Sequence, residues 1–360
     1  MSQASDKRYM QYALQLAERE LGRTWPNPAV GAVIVKEDAI IGCGATARGG
    51  RPHGEPIALA QAGAHAKDAT LYVTLEPCSH QGKTPPCVGA IIAAGIKRVV
   101  AACADPNPLV GGKGFAALRA AGVEVVENIC AEEALAQNAG FFSLITRGRP
   151  LVTLKLATSL DGKIATQTGE SKWITGENAR IRGHLLRAAH DAIITGMGTL
   201  LADDPSLTCR IPGREGDSPK RVIMDREFSI PPQAKILPAW VFTSENALQA
   251  NPEKAESFSK AGTRIFSAPM KEDHLALENV VAQLAREGIT RLLVEAGNGL
   301  ASAFIDAHLV DSIYWFRASL IIGENGLSAL RSGSLKERFS LCKTKRLGQD
   351  MLEIYNRKAD

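Results

Sequence analysis

The sequence predicts an α/β protein of two domains, and three observations carry that expectation. Strand-sized apolar runs alternate with helix-period segments along nearly the whole chain. The alternation is broken by the charged stretch Arg147-Gly148-Arg149-Pro150, whose glycine and proline mark a linker. A length of 360 residues, 45% hydrophobic and 22% charged, suits a globular protein of two domains. The domains are read as 1–147 and 150–360.

Ser5 stands where an N-cap belongs, and Tyr9, Ala13, Leu16 and Ala17 follow at helical spacing, to a stop near Gly22. Thr24-Trp25-Pro26-Asn27-Pro28 is a turn-rich loop feeding the apolar run 29–35, and 40–45 pairs with it as a second strand. His53 and Glu55 open a helix that continues through Ile57, Ala58, Ala60 and Gln61. Strands follow at 70–75, 97–102 and 123–126, alternating with helices at 88–94, 114–121 and 131–146.

In the second half, 151–157 is an apolar strand apart from Lys155, and Ser159-Leu160-Asp161-Gly162 is a turn. Thr175 is placed to cap a helix over 177–190, after which 192–195 is a buried strand followed by Gly196-Met197-Gly198-Thr199 and a polar loop over 202–210. Further strands are expected at 221–225, 239–243, 263–266, 291–295 and 312–318, with a helix at 275–287 and another after Gly299.

The net charge of +4 is too mild to argue for nucleic acid or a membrane surface, and it is compatible with a small anionic substrate. Seven cysteines, odd in number and scattered, argue against a disulfide framework. The first residues lack the apolar core of a signal peptide, and no run approaches the ~20 apolar residues of a membrane span, so a cytoplasmic address is expected.

The stretch richest in chemistry runs from Pro52 to Cys87: Pro52-His53-Gly54-Glu55, a gap, then Pro77-Cys78 and, eight residues beyond, Cys87. One imidazole and two thiols are the donor set of a catalytic zinc that keeps a fourth position open. Two thiolates and a neutral imidazole cancel the ion's charge yet leave it a Lewis acid strong enough to activate water. Glu55 need not be a ligand and is placed to carry a proton. That is the logic of zinc deaminases acting on a ring carbon with an exocyclic amine. A structural zinc would instead need a fourth protein ligand, for which His80 or Cys103 is the candidate. His80 otherwise faces the substrate or backs the ligands. Asn27, between two prolines, is either a turn residue or an amide that reads a base edge.

Strand, glycine turn and helix start form a phosphate-cradling geometry, and Gly297-Asn298-Gly299 after Val294-Glu295 fits it, as do Gly196 and Gly198; neither is the dinucleotide fingerprint. Lys155 is either an edge-strand lysine reaching water or a buried amine with a partner. Glu295 ends a strand, where α/β sheets place functional groups. Arg187 and Arg210 are candidate phosphate binders.

With both halves in view, the chain resembles the family of bifunctional riboflavin-biosynthesis enzymes, a pyrimidine deaminase fused to a pyrimidine reductase. The resemblance covers nearly the whole sequence. It rests on 24–28, 52–55, 77–87 and Ala104-Asp105-Pro106-Asn107-Pro108 in the first half, and on 155–162, 169–175, 201–205 and 294–299 in the second. It implies an N-terminal cytidine-deaminase-like three-layer α/β/α domain and a C-terminal dihydrofolate-reductase-like α/β domain. The first would deaminate a diaminopyrimidinone carrying a phosphoribosylamino group; the second would use NADPH to reduce the ribosyl group to ribityl. On this resemblance His53, Cys78 and Cys87 are zinc ligands, Glu55 is the proton shuttle, and Asn27, Lys83, Thr84 and Asn107 touch the deaminase substrate. Ala157, Trp173, Thr199, Asp203 and Gly297, Asn298 and Gly299 match NADP positions, and Ser171, Arg187, Leu207, Arg210 and Glu295 match reductase substrate positions. Lys155 and Glu295 are expected to help polarise the sugar imine. A homodimer through the second domain is implied as well.

Three residues depart from the family pattern: Gly54 where alanine is usual, which would loosen the helix start, Thr46 where a histidine is common, and Gln81 where a second histidine is frequent. They bear on substrate contacts and not on the metal. Two rival readings are a nucleoside or RNA-base deaminase with a non-catalytic second half, and a nucleotide-binding regulator with a structural zinc. The first calls for a basic, aromatic-rich groove, whereas aromatics are 5% of the chain.

Overall fold

The computed structural model describes residues 3–82, 84–108, 111–169, 174–331 and 337–358. The expected site residues Lys83, Ser171 and Trp173 lie outside the described residues. The chain divides into two compact units, Met1–Arg149 and Pro150–Asp360.

The first unit is built from α1 (Gln3–Glu18), β1 (Gly31–Lys36), β2 (Ala39–Ala45), α2 (Gly54–Ala62), β3 (Thr70–Val73), α3 (Cys87–Ala93), β4 (Arg98–Ala101), α4 (Lys113–Ala120), β5 (Glu124–Val126), α5 (Ala131–Gln137) and α6 (Ala139–Arg147). Its sheet has the order β2-β1-β3-β4-β5, antiparallel around β1 and parallel from β3 to β5. Val33, Ile34, Leu71, Tyr72, Val99 and Val100 are fully buried, as expected of strands covered on both faces. Gly31 pairs with Ala45 and Gly44 with Ala32, so the two glycines face opposite sides of the sheet. A Cβ at Gly31 would lie 1.9 Å from the Ala13 carbonyl oxygen of α1, and one at Gly44 2.5 Å from the Gly54 carbonyl oxygen of α2. The missing side chains therefore seat one helix on each face and make the layered arrangement.

Beneath this sheet, Arg98 donates two hydrogen bonds of 2.8 Å to Asp6 of α1, and the Tyr72 hydroxyl donates a third of 2.7 Å. Hydrogen bonds from Arg98 hold the Asp6 carboxyl below its ordinary range, against the burial that would raise it.

The second unit contains β6 (Leu151–Thr158), β7 (Lys163–Ala165), α7 (Glu177–Ala188), β8 (Ala192–Gly196), α8 (Met197–Asp203), β9 (Lys220–Met224), β10 (Trp240–Thr243), α9 (Glu245–Ala250), α10 (Pro252–Lys260) and β11 (Arg264–Ser267). It continues with β12 (Met270–Lys271), β13 (His274–Leu275), α11 (Leu277–Arg286), β14 (Arg291–Val294), α12 (Asn298–Asp306), β15 (Ser312–Arg317), β16 (Leu327–Ser328), β17 (Phe339–Leu347) and β18 (Asp350–Arg357). Its main sheet has the order β11-β10-β9-β8-β14-β6-β15-β18-β17. The strands from β11 to β15 are parallel, and β18 and β17 add an antiparallel hairpin.

Several sequence expectations are corrected. Helix α1 already runs from Gln3, so Ser5 lies in its first turn and is not the cap. The single helix over 131–146 is two, α5 and α6, divided at Asn138. The buried Asn138 amide accepts from the Ala29 N–H and donates to the Ala29 carbonyl, both at 3.0 Å, so it is spent on pinning the segment before β1. Gly176 and not Thr175 is the N-cap of α7, and its N–H donates to Asp350 Oδ2 at 2.7 Å. Lys155 sits on β6 between β14 and β15, which excludes an edge-strand position. Gly54 is buried at the start of α2, where a Cβ would lie 2.8 Å from the Val30 carbonyl oxygen; the glycine lets the helix start close in and does not loosen it. Among the described residues no helix is long and apolar enough to cross a membrane.

Candidate active sites

In the first unit, His53 is the residue that precedes α2, Glu55 lies in that helix's first turn, and Cys87 opens α3. His53 Nδ1 lies 3.7 Å from Cys78 Sγ and 3.3 Å from Cys87 Sγ, and the three donor atoms fall within 4.8 Å of one another. They are the one such His/Cys/Asp/Glu cluster among the described residues. The backbone N–H of Cys87 donates to Cys78 Sγ at 3.4 Å, and that of Val88 to the Cys78 carbonyl at 3.2 Å, so the start of α3 is aimed at the thiol. The hydrogen bond with Cys87, and then that with His53, brings the Cys78 thiol down to about 4, while the same contact pushes Cys87 up. A dication held between the two sulfurs would favour both as thiolates.

The donors fit a metal ion in a second respect. Glu55 is 3% exposed, and its Oε2 has no hydrogen-bond partner among the described residues. Burial pushes this carboxyl up. An oxygen hidden from water and left unpartnered beside three metal donors is waiting for a ligand of the site. Cys103, a candidate fourth ligand, instead donates to the Thr74 carbonyl at 3.6 Å, and His80 lines the cavity without joining the cluster. The fourth protein ligand that a structural zinc requires is absent among the described residues.

The cavity over this cluster measures about 130 Å³. Asn27 and Asn107 both line it, as expected. The Asn27 amide donates to the Gly50 carbonyl at 3.0 Å, which fixes its orientation, and the Asn107 N–H donates to Asp105 Oδ1 at 2.8 Å. Thr84 does not line the cavity; its hydroxyl accepts from Arg51, which does. At the Thr46 departure the hydroxyl accepts from the Val30 N–H at 3.0 Å. Arg51 and Asp105 were not anticipated, and burial pushes the Asp105 carboxyl up to about 6.

In the second unit a cavity of about 520 Å³ opens at the carboxyl ends of the parallel strands, where α/β sheets bind ligands. Lys155 and Ala157 of β6 line it, with Thr199 and Asp203 of α8, Leu207 and Arg210 of the following loop, Arg187 of α7, and Glu295 and Gly297 after β14. Asn298 and Gly299 form the first turn of α12. The Gly297 N–H donates to the Thr199 hydroxyl at 2.9 Å, joining two of the expected cofactor positions. Leu207 is buried with a φ of 51°, a strained conformation for leucine, at a position that lines the cavity.

Glu295 is the centre of this site. Arg187 donates to both its oxygens at 2.9 Å, and Lys155 Nζ lies 3.5 Å from Oε2. Burial opposes the charge on Glu295, but Arg187 and then Lys155 outweigh it and hold the carboxyl far below its ordinary range. Arg187 also donates to the Thr208 carbonyl at 3.0 Å, so its three nitrogens are all engaged, whereas Arg210 is exposed in the cavity. His184 was missed. It lines the cavity, contacts the Thr208 carbonyl through Nδ1 at 3.2 Å, and is lowered by burial and by Arg187 and Arg210. Its spacing with Arg180 and Arg187 along one face of α7 was the available signal.

Fold and sites together define a two-domain enzyme, one half built around a Cys₂His metal site of the deaminase kind and the other around a sheet-end cavity of the reductase kind. Residues 3–103 match the family model of the cytidine and deoxycytidylate deaminase zinc-binding region, and residues 150–352 match that of the RibD C-terminal domain. The riboflavin biosynthesis protein RibD of Aquifex aeolicus is 45% identical over 361 residues, covering 98% of each chain, and that of Escherichia coli is 41% identical over 335 residues, covering 89% of each. Among solved structures, Acinetobacter baumannii RibD superposes with a TM-score of 0.89 at 38% identity, covering 99% of this chain and 100% of that one. A diaminohydroxyphosphoribosylaminopyrimidine deaminase/5-amino-6-(5-phosphoribosylamino)uracil reductase from Thermotoga maritima does so with 0.86 at 34% identity, covering 99% of both. The chain belongs to the RibD family of riboflavin biosynthesis proteins.

Proposed function

We propose that residues 1–147 hydrolytically deaminate a diaminopyrimidinone carrying a phosphoribosylamino group, and that residues 150–360 then reduce its ribosyl group to ribityl with NADPH. As a RibD family member the chain is a bifunctional deaminase and reductase of riboflavin biosynthesis. The observation that carries the reading is the His53–Cys78–Cys87 cluster with the Glu55 Oε2 beside it, unpartnered among the described residues.

His53, Cys78 and Cys87 would hold zinc, which when bound supplies a Lewis acid that makes water a nucleophile at neutral pH. Glu55 would take a proton from the attacking water and deliver it to the departing amine, so that a C–O bond forms, the C–N bond breaks and ammonia leaves. Asn27 and Asn107 orient the pyrimidine through their amides. Arg51, which shares a hydrogen bond with Thr84 at the cavity rim, adds positive charge for the phosphate.

In the reductase half, Ala157, Thr199, Asp203, Gly297, Asn298 and Gly299 would hold NADPH, which supplies the two-electron reducing equivalent. The volume of about 520 Å³ suits a cofactor end and a sugar phosphate together. Glu295, kept ionised by Arg187, holds the Lys155 ammonium in place, and that ammonium polarises the sugar's C=N group. Arg210 and His184 face the phosphate. A homodimer through residues 150–360 and a cytoplasmic address belong to the same reading; seven cysteines, none of them in a disulfide, support a reducing compartment.

The test is ammonia release from the diaminopyrimidine substrate, followed by NADPH oxidation on the deaminated product. Both activities in one purified chain are expected. Ammonia release without NADPH oxidation would overturn the second half of the reading.

A further inference from the structure

Glu76 lies two residues before Cys78 and takes no part in the metal cluster, yet it is 3% exposed. Its Oε2 accepts from the Asp105 N–H at 3.2 Å and the Gly112 N–H at 2.9 Å. Its Oε1 accepts from the Gly114 N–H at 2.9 Å and the Phe115 N–H at 3.3 Å, in the first turn of α4. A single carboxylate therefore clasps both ends of the segment that carries Asn107, and the start of the helix beyond. Asn107 is tied into the same clasp, since its N–H donates to Asp105 Oδ1 at 2.8 Å and its carbonyl accepts from Gly111 at 2.8 Å.

A second feature is built for this clasp. A Cβ at Gly114 would lie 2.2 Å from the Pro77 carbonyl oxygen and 3.0 Å from Glu76 Oε1. Glycine at this position lets α4 press against the turn that presents Cys78. A buried carboxylate facing four N–H donors is also a strong choice for the task, because charge-assisted bonds are about twice as strong as neutral ones.

We propose that Glu76 is a positioning residue of the deaminase step, fixing Asn107 at a set place relative to the metal ligand Cys78. This rests on the deaminase reading above. Two parts of the pocket lining, the turn with Cys78 and the segment with Asn107, lie 29 residues apart in sequence, and the Glu76 side chain bonds one to the other. Its effect is on how the ring is held and not on proton transfer.

The experiment uses the full-length, zinc-loaded enzyme and compares Glu76→Gln, Gly114→Ala and Asn107→Ala, alone and with Glu76→Gln combined with Asn107→Ala. A glutamine amide turns one pair of N–H groups against its own NH₂, so Glu76→Gln is expected to raise KM for ammonia release about tenfold while kcat changes little. Gly114→Ala is expected to raise KM in the same sense. One zinc per chain is retained, and the NADPH-dependent rate on the deaminated substrate is unchanged. The double variant is expected to match Asn107→Ala alone, because both changes remove one function. Wild-type KM in both Glu76→Gln and Gly114→Ala, or multiplying effects in the double variant, would overturn the proposal. Loss of zinc, or a fall in kcat at constant KM, would equally contradict it, since the carboxylate would then serve the metal site's folding. A wild-type enzyme that releases no ammonia would sink the deaminase reading itself, before any variant is compared.

Discussion

Glu55 and Glu295 are both buried carboxylates at the heart of a cavity, and they are poised in opposite ways. Among the described residues Glu55 Oε2 has no hydrogen-bond partner, and burial raises the carboxyl's pKa. Glu295 is gripped by Arg187 and Lys155, and those cations keep it ionised despite the same burial. On the function proposed above, the contrast suits Glu55 to moving protons and Glu295 to organising charge. A deaminase must shuttle protons between water and amine. A reductase must hold a cation against the group that accepts electrons.

The widest contrast between the halves comes from the metal. Cys87→Ala is expected to empty the zinc site and lower ammonia release on the order of 10³-fold or more, with the reductase rate intact. Metal content and the two separate assays check this, and parallel loss of both activities would break the comparison. Next in size is Arg187→Met, which leaves Glu295 buried with a lysine alone. Breaking a buried pair in this way destabilises by about 3 kcal/mol, and calorimetry should show the loss in the second unit while the first melts as before. Lys155→Ala should lower the reductase rate about tenfold or more by removing the polarising charge. An undiminished rate would dismiss that role.

The smallest effect is a pH dependence. The Glu295 carboxyl is depressed from its ordinary 4.5, so it binds fewer protons when folded than when unfolded. Its stabilisation is therefore fully present above about 4.5 and is lost as pH falls through the lower folded value. The stability difference between wild type and Glu295→Gln should be constant from neutral pH down to that point and shrink in stronger acid. A difference that shrank between pH 7 and 5 would show that Glu295 is not held ionised.

The metal site was the most legible part of the sequence, because its chemistry is carried by residue types at short spacing: His53 and Glu55 share a helix start, and Cys78 and Cys87 flank one loop. The Lys155–Arg187–Glu295 triad was legible only as separate candidates. Its members sit on β6, α7 and the end of β14, and Arg187 and Glu295 are 108 residues apart, so nothing local links them. Glu76 was hidden for a related reason: its partners are backbone N–H groups, which any sequence supplies. The hairpin of β17 and β18 was missed because most of β17 is exposed and its Lys343, Lys345 and Arg346 obscure the apolar alternation of a strand. Asn138 read as an ordinary helix residue, since its bonding to Ala29 depends on tertiary contact.

The most direct measurement is made on zinc-loaded Glu55→Gln, which keeps the shape of the side chain and removes its ability to exchange a proton. Offered the diaminopyrimidine, it should release ammonia at least about 10³-fold more slowly than wild type; offered the deaminated compound with NADPH, it should reduce it at the wild-type rate. Wild-type ammonia release from this variant would contradict the assignment of Glu55 as the residue that moves the proton.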